Sequence, residues 1–202
     1  VRSDNISKKV EEFKRAGQLI ARARSLMPEN DEAQALEKLC ASAALIALQF
    51  FDEAERSLSQ IQGSRLAAVE NALGILYRGK FDDYRAERAF KRSIELDPKW
   101  AAPHYNLALL YKSQKREPVL ELLSRASELD PANTALQTTL GDEHFERQQW
   151  QQAVDAYRKA VSISPDDEGL HTKLGHALYS QGMRDEANIE YQKAADLRKR
   201  RP

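Results

Sequence analysis

Apolar and small positions recur along this chain at two ranges, with helical spacing locally and with a fixed period over longer stretches. A Leu-small pair, followed three residues later by an aromatic or apolar residue, appears four times: Leu73-Gly74 with Tyr77, Leu107-Ala108 with Tyr111, Leu140-Gly141 with His144, and Leu174-Gly175 with Leu178. Each is followed by an alanine-type position at Ala86, Val119, Ala153 and Ala187, and by a bulky one at Phe90, Leu123, Tyr157 and Tyr191. Small residues return at Ser93, Ala126, Ala160 and Ala194. Steps of three and four put such residues on one helix face. The blocks close on Pro98, Pro131 and Pro165, which stand 33 and 34 residues apart. Proline ends a helix because it has no N–H to extend the ladder. A period of this size predicts stacked helical hairpins, two helices to the period.

The small positions have a steric reason. Where two helices of a hairpin cross closely, Gly74, Gly141, Gly175 and Ala108 leave room that a larger side chain would fill, and overpacking there costs about 1 to 3 kcal/mol. The Leu, Tyr and Phe positions fill the layer between helices. Burial comes from neighbours, so no single hairpin is expected to fold alone.

A tryptophan-like position, Leu-Gly, Tyr, then Ala, Phe, Ala and a closing Pro resembles the tetratricopeptide repeat, clearly from about Ala67 onward and less so before it. The resemblance implies an all-α fold, a right-handed superhelical solenoid of antiparallel helix pairs with about eleven helices. Repeats are expected over residues 67–100, 101–133, 134–167 and 168–202, with one residue missing between Tyr111 and Val119.

Carried backwards, the same register makes residues 31–66 a degenerate repeat, with Ala54 and Leu58 in the alanine and bulky positions and Gly63 where a proline could stand. Ala16, Ile20, Ala23 and Pro28 keep the spacing of a second helix, so residues 1–30 read as half of a truncated repeat, helical from about Ser7 to Met27. The chain has no initiator Met and is expected to be a segment of a longer protein. About four residues are left over before Ala54, one extra helical turn of roughly 5.4 Å. The first helix there should run from Asp31 to Gln49. Its stretch Leu39–Leu48 is apolar almost all round, so burial on more than one side is expected, with the N-terminal helix as the leading cover and a partner or a further part of the protein as the alternative.

Composition narrows the function classes. Lys plus Arg and Asp plus Glu number 31 each in 202 residues, which gives no electrostatic case for nucleic acid or an anionic membrane. No run of apolar residues is long enough to span a bilayer and no signal peptide is visible. With 42% hydrophobic residues and no Pro/Gly/Ser-rich linker, one continuous array rather than two domains is expected. A lone cysteine makes no internal disulfide, compatible with a reducing, cytoplasmic setting. The basic tail Arg198-Lys199-Arg200-Arg201 reads as cations favoured at a helix C-terminus.

Motifs for chemistry are lacking, and no catalytic residue, metal or cofactor is expected. The closest two of the four histidines, His171 and His176, are five apart, not the three or four that put ligands on one helix face. His104 and His171 fall in the tryptophan-like position and His144 in the tyrosine position, which makes them framework. Cys40 has apolar neighbours that raise a thiol pKa rather than activate it. There is no phosphate-binding Gly loop, no G-x-S-x-G and no H-E-x-x-H. Asp82-Asp83 and Asp166-Asp167-Glu168 precede helices, where carboxylates cap.

The resemblance places function on a concave face lined by the first helix of each repeat. Helix period and core positions point inward Asn71, Ile75 and Arg78; Tyr105, Asn106, Leu109 and Lys112; Thr138, Thr139, Asp142 and Phe145; and Thr172, Lys173, His176 and Tyr179. Rings and amides of this kind suit an extended peptide. The cationic clamp that some family members close on a carboxylate terminus is missing, since the corresponding positions hold Asn71, Ile75, Ala102, Asn106, Ala135 and Thr139. Of the asparagine ladder seen in others, only Asn106 holds a rung, with Asn71 one residue out of step. The leading expectation is a non-catalytic interaction module for a peptide or helix of a partner protein. Two alternatives stand beside it: an array that self-associates through its terminal repeats, and a regulatory or targeting module fused to an enzyme domain outside this chain.

Overall fold

The computed structural model describes residues 31–61 and 66–200, so the expected helix from about Ser7 to Met27 and Gly63 lie outside the described residues. Ten helices form among the described residues and no strand: α1 Asp31–Ala47, α2 Phe51–Ser59, α3 Ala67–Gly79, α4 Asp83–Leu96, α5 Ala101–Ser113, α6 Val119–Leu129, α7 Thr134–Glu146, α8 Trp150–Ile163, α9 Glu168–Ser180 and α10 Arg184–Lys199. The chain groups into two compact units, one running to Leu110 and the other starting at Tyr111, with the boundary inside α5. In the first unit α1 packs on α2 and α3 on α4. In the second, α7 packs on α8, α8 on α9 and α9 on α10.

Local chemistry sets the helix ends. Asp82, Asn133 and Asp167 are N-caps, their side-chain oxygens accepting from the backbone N–H groups of Arg85, Leu136, and both Gly169 and Leu170. Helices α4, α6 and α8 stop at Leu96, Leu129 and Ile163, two residues before Pro98, Pro131 and Pro165.

The turns inside the hairpins share another device. Gln49, Phe81, Lys115, Gln148 and Gly182 all have positive φ, at 64°, 60°, 55°, 59° and 92°. The next residue in each case, Phe50, Asp82, Arg116, Gln149 or Met183, donates its N–H 2.9 Å to the carbonyl five residues back. This is the Schellman ending, in which a left-handed residue lets the chain reverse while satisfying a terminal carbonyl. It also ends α1 at Ala47, two residues short of the expected Gln49.

Small-on-ring packing joins the helices of three pairs, α3 with α4, α7 with α8 and α9 with α10. A Cβ on Gly74 would collide with the ring of Phe90, on Gly141 it would stand 2.6 Å from Cε1 of Tyr157, and on Gly175 2.5 Å from Cε1 of Tyr191. Phe90 and Tyr157 are buried, with Ala86, Ala153 and Ala187 fully enclosed beside them on the second helices. The apolar stretch of α1 is less enclosed among the described residues. Ala35 and Ser42 are buried, Leu39 and Ile46 pack half-buried on a core of Ala54, Leu58 and Val69, and Ala41 and Leu48 are exposed.

The tryptophan-like position does structural work through a hydrogen bond. His104 Nε2 lies 3.2 Å from the Pro98 carbonyl, Gln137 Nε2 donates to that of Pro131 at 3.3 Å, and His171 Nε2 reaches that of Pro165 at 2.8 Å. Each residue ties the start of a helix to the turn six residues before it. The three are buried, as framework residues should be.

Candidate functional site

The groove positions in the first unit are only partly open. Asn71 is buried and its side-chain oxygen accepts from Asn106 Nδ2 at 2.9 Å, so the two asparagines that sequence register puts one residue out of step are joined in space. Ile75 is exposed, while Arg78, Tyr105, Asn106 and Leu109 are half-buried.

The second unit brings more of them together. Asp142 of α7 accepts at one oxygen from the Tyr157 hydroxyl of α8 at 2.6 Å and from Lys173 Nζ of α9 at 2.5 Å. Phe145 and Glu146 of α7 and His176 of α9 complete the walls of an open cleft of about 260 Å3. The Phe145 ring is held edge-on to Trp150 at 5.1 Å, and His176, exposed, edge-on to Tyr191 at 5.6 Å. Tyr157 stays neutral: burial, then the neighbouring Asp142 carboxylate that accepts its hydrogen bond, hold its phenol well above the usual tyrosine range. The cleft therefore offers a lysine with N–H groups to spare, a carboxylate with a second oxygen, and aromatic walls.

Other expected positions are already engaged. Lys112 Nζ lies 2.8 Å from Glu143 and 2.9 Å from Glu146, so its charge is satisfied internally and not presented as an isolated cation. Burial pushes the Glu143 carboxyl up, but the bonds from Lys112 and Arg147 outweigh it and hold the group below the ordinary glutamate value. The hydroxyls of Thr138, Thr139 and Thr172 donate to the carbonyls of Thr134, Ala135 and Glu168 on their own helices, which leaves none of these protons for a ligand. Tyr179 is exposed, with Arg184 5.8 Å from its ring centroid.

Sequence register assigned Tyr157 wholly to the core. Its ring is there, yet its hydroxyl reaches the cleft; the signal was a tyrosine where the two preceding repeats have Phe90 and Leu123. Glu146, also missed, sits four residues after Asp142 on the same face.

No group of His, Cys, Asp and Glu among the described residues is arranged to hold a metal ion. Burial raises the Cys40 thiol, as its apolar neighbours lead one to expect. No helix among the described residues is long and apolar enough to cross a membrane. In the basic tail, Arg198 binds Glu168 at 2.5 Å.

Consecutive helix pairs at 33 and 34 residues, closed by small-on-ring contacts and proline turns, define an all-α helical-repeat protein. The family model described as TPR repeat matches residues 141–182, in line with the resemblance of the repeat pattern to that family. Anaphase-promoting complex subunit 3 of Schizosaccharomyces pombe is 25% identical over 84 residues, which cover 42% of this chain and 13% of that protein. The chain thus matches only a small part of that relative's length. Among solved structures, a crystal structure of MamA superposes with a TM-score of 0.68 at 22% identity, over 78% of this chain and 94% of that one. MamA 41-end from Desulfovibrio magneticus RS-1 gives 0.68 at 20% identity, over 84% and 97%. At such identity the likeness shows the fold alone.

Proposed function

We propose that this chain is a non-catalytic protein-interaction module whose second unit holds an extended peptide or helix of a partner protein at the Asp142 cleft. One observation supports this most: Asp142, Phe145, Lys173 and His176, four inward positions from two first helices, converge on a single opening. A peptide group has one donor and one acceptor. Lys173 can donate to its carbonyl while the second Asp142 oxygen accepts its N–H, and Phe145 and His176 give a side chain apolar area at low entropy cost. Tetratricopeptide arrays, which this chain resembles, are typical interaction modules.

The test uses displayed random peptides selected on the wild-type chain. Lys173→Met with His176→Ala should lose those peptides while thermal stability is kept, because the Lys173 side chain is 41% exposed and His176 is exposed. Wild-type capture by the double variant would sink the reading.

A further inference from the structure

A second cleft lies in the first unit, of about 520 Å3, between α3 and α4. Its α3 wall is made by Glu70, Leu73 and Tyr77, a different helix face from Asn71, Ile75 and Arg78. Its α4 wall carries Arg85, Arg88 and Arg92, at steps of three and four and hence in one stripe. Lys91, paired with Glu87 at 2.7 Å, and Glu95 also line it, so four cations stand at this opening beside two lining carboxylates and the carboxylates that pair with Arg85 and Lys91.

The cations are engaged to different degrees. Arg85 is fixed by Asp82, by Glu55 and over the Tyr77 ring at 4.4 Å. Arg92 pairs with Glu95 at 2.7 Å, both more than half exposed, an ion pair of little worth that an incoming carboxylate can replace. Arg88 is exposed and makes no hydrogen bond or ion pair with any described residue. Glu70, half-buried on the α3 side, is pushed up by burial and drawn down less by Arg92 and Arg88, its two neighbours in the stripe.

We infer that this cleft is a separate binding site for an acidic segment of another polypeptide, with Arg88 and Arg92 each taking a carboxylate and Tyr77 packing its side-chain stems. Guanidinium groups pair with carboxylates in two-pronged fashion, which gives direction as well as attraction. Nucleic acid fits less well. Its phosphates call for an extended basic surface, whereas two carboxylates interrupt this one and the chain carries no net charge. The segment expected over residues 1–30 is itself rich in Lys and Arg and is not complementary.

The probe is a fluorescein-labelled oligoglutamate peptide, titrated by anisotropy at about 0.1 M salt, where only close charges act strongly. Saturable binding is expected, weakened about tenfold or more by Arg88→Glu and by Arg92→Glu. Lys159→Glu, the same charge change on an exposed residue of the second unit, should leave it intact. Thermal melts of each variant check the fold, and Arg88→Ala, which removes no bond, serves where the reversal unfolds the chain. No saturable binding, equal loss in the Lys159 control, or equally tight binding of a single-stranded oligonucleotide of matched charge would each overturn the inference. Because the Asp142 cleft shares no residue with this site, its double variant should bind oligoglutamate normally.

Discussion

Gly141 lies beneath the ring of Tyr157, leaving so little space that a Cβ would come within 2.6 Å of Cε1, and the hydroxyl of that ring donates to Asp142 at 2.6 Å. One contact thus closes a hairpin and sets one wall of the cleft. Gly141→Ala should cost about 1 to 3 kcal/mol because a packed ring has to shift. The repeat that has Ala108 in the small position has Leu123 in the bulky one. Adding Tyr157→Leu should therefore recover part of the loss, and a double-mutant cycle by urea unfolding measures it. Simple additivity of the two changes would refute the steric account.

Phe81 is 92% exposed and held at φ 60°. A bulky L-residue in that region pays about 1 to 2 kcal/mol, which glycine avoids at some entropic loss to the unfolded chain. Phe81→Gly should raise the urea midpoint, with a net gain of about 0.5 to 1 kcal/mol. Gly182→Ala, at φ 92° with nothing within 4 Å, should lower it by a similar amount through strain alone. A destabilised Phe81→Gly would mean that the ring makes a contact of its own.

His171 bridges two partners, Glu190 at 2.6 Å from Nδ1 and the Pro165 carbonyl at 2.8 Å from Nε2. Glutamine in the same position of the preceding repeat, Gln137, keeps the proline bond. His171→Gln should hence cost less than His171→Ala, which abandons both acceptors and a mostly buried carboxylate, at about 1 to 3 kcal/mol. Equal losses in calorimetry would show that the carbonyl bond contributes nothing.

Glu143 and Glu190 are both pushed up by burial and more than restored by their cationic partners, ending below the usual glutamate value. With the folded pKa under the unfolded one, their contribution to stability is complete above the unfolded value and disappears as pH falls through the folded one. Stability should decline as pH drops from about 5 toward 3. Glu143→Gln should flatten that decline while lowering stability at neutral pH by about 1 to 3 kcal/mol, since Lys112 and Arg147 lose their shared partner. An unchanged slope in the variant would exclude Glu143 as a contributor.

What the sequence alone determined is the repeat itself. Gly74 with Phe90, Pro98 after Leu96 and Asp82 before α4 act through backbone geometry or through contacts set by helix period, and these are legible because a small residue, a ring and a missing N–H have fixed consequences at fixed spacing. The same period also put Asn71, Lys112 and Thr138 on the inner face. Whether an inward side chain remains available was decided only by the tertiary structure. Its rotamer and its partner set the outcome, and the partners of Asn71, Lys112 and Lys173 lie 35, 31 and 31 residues away in sequence. The turn at Phe81 was hidden for a related reason: its left-handed backbone is imposed by the reversal between α3 and α4 against the preference of the residue itself.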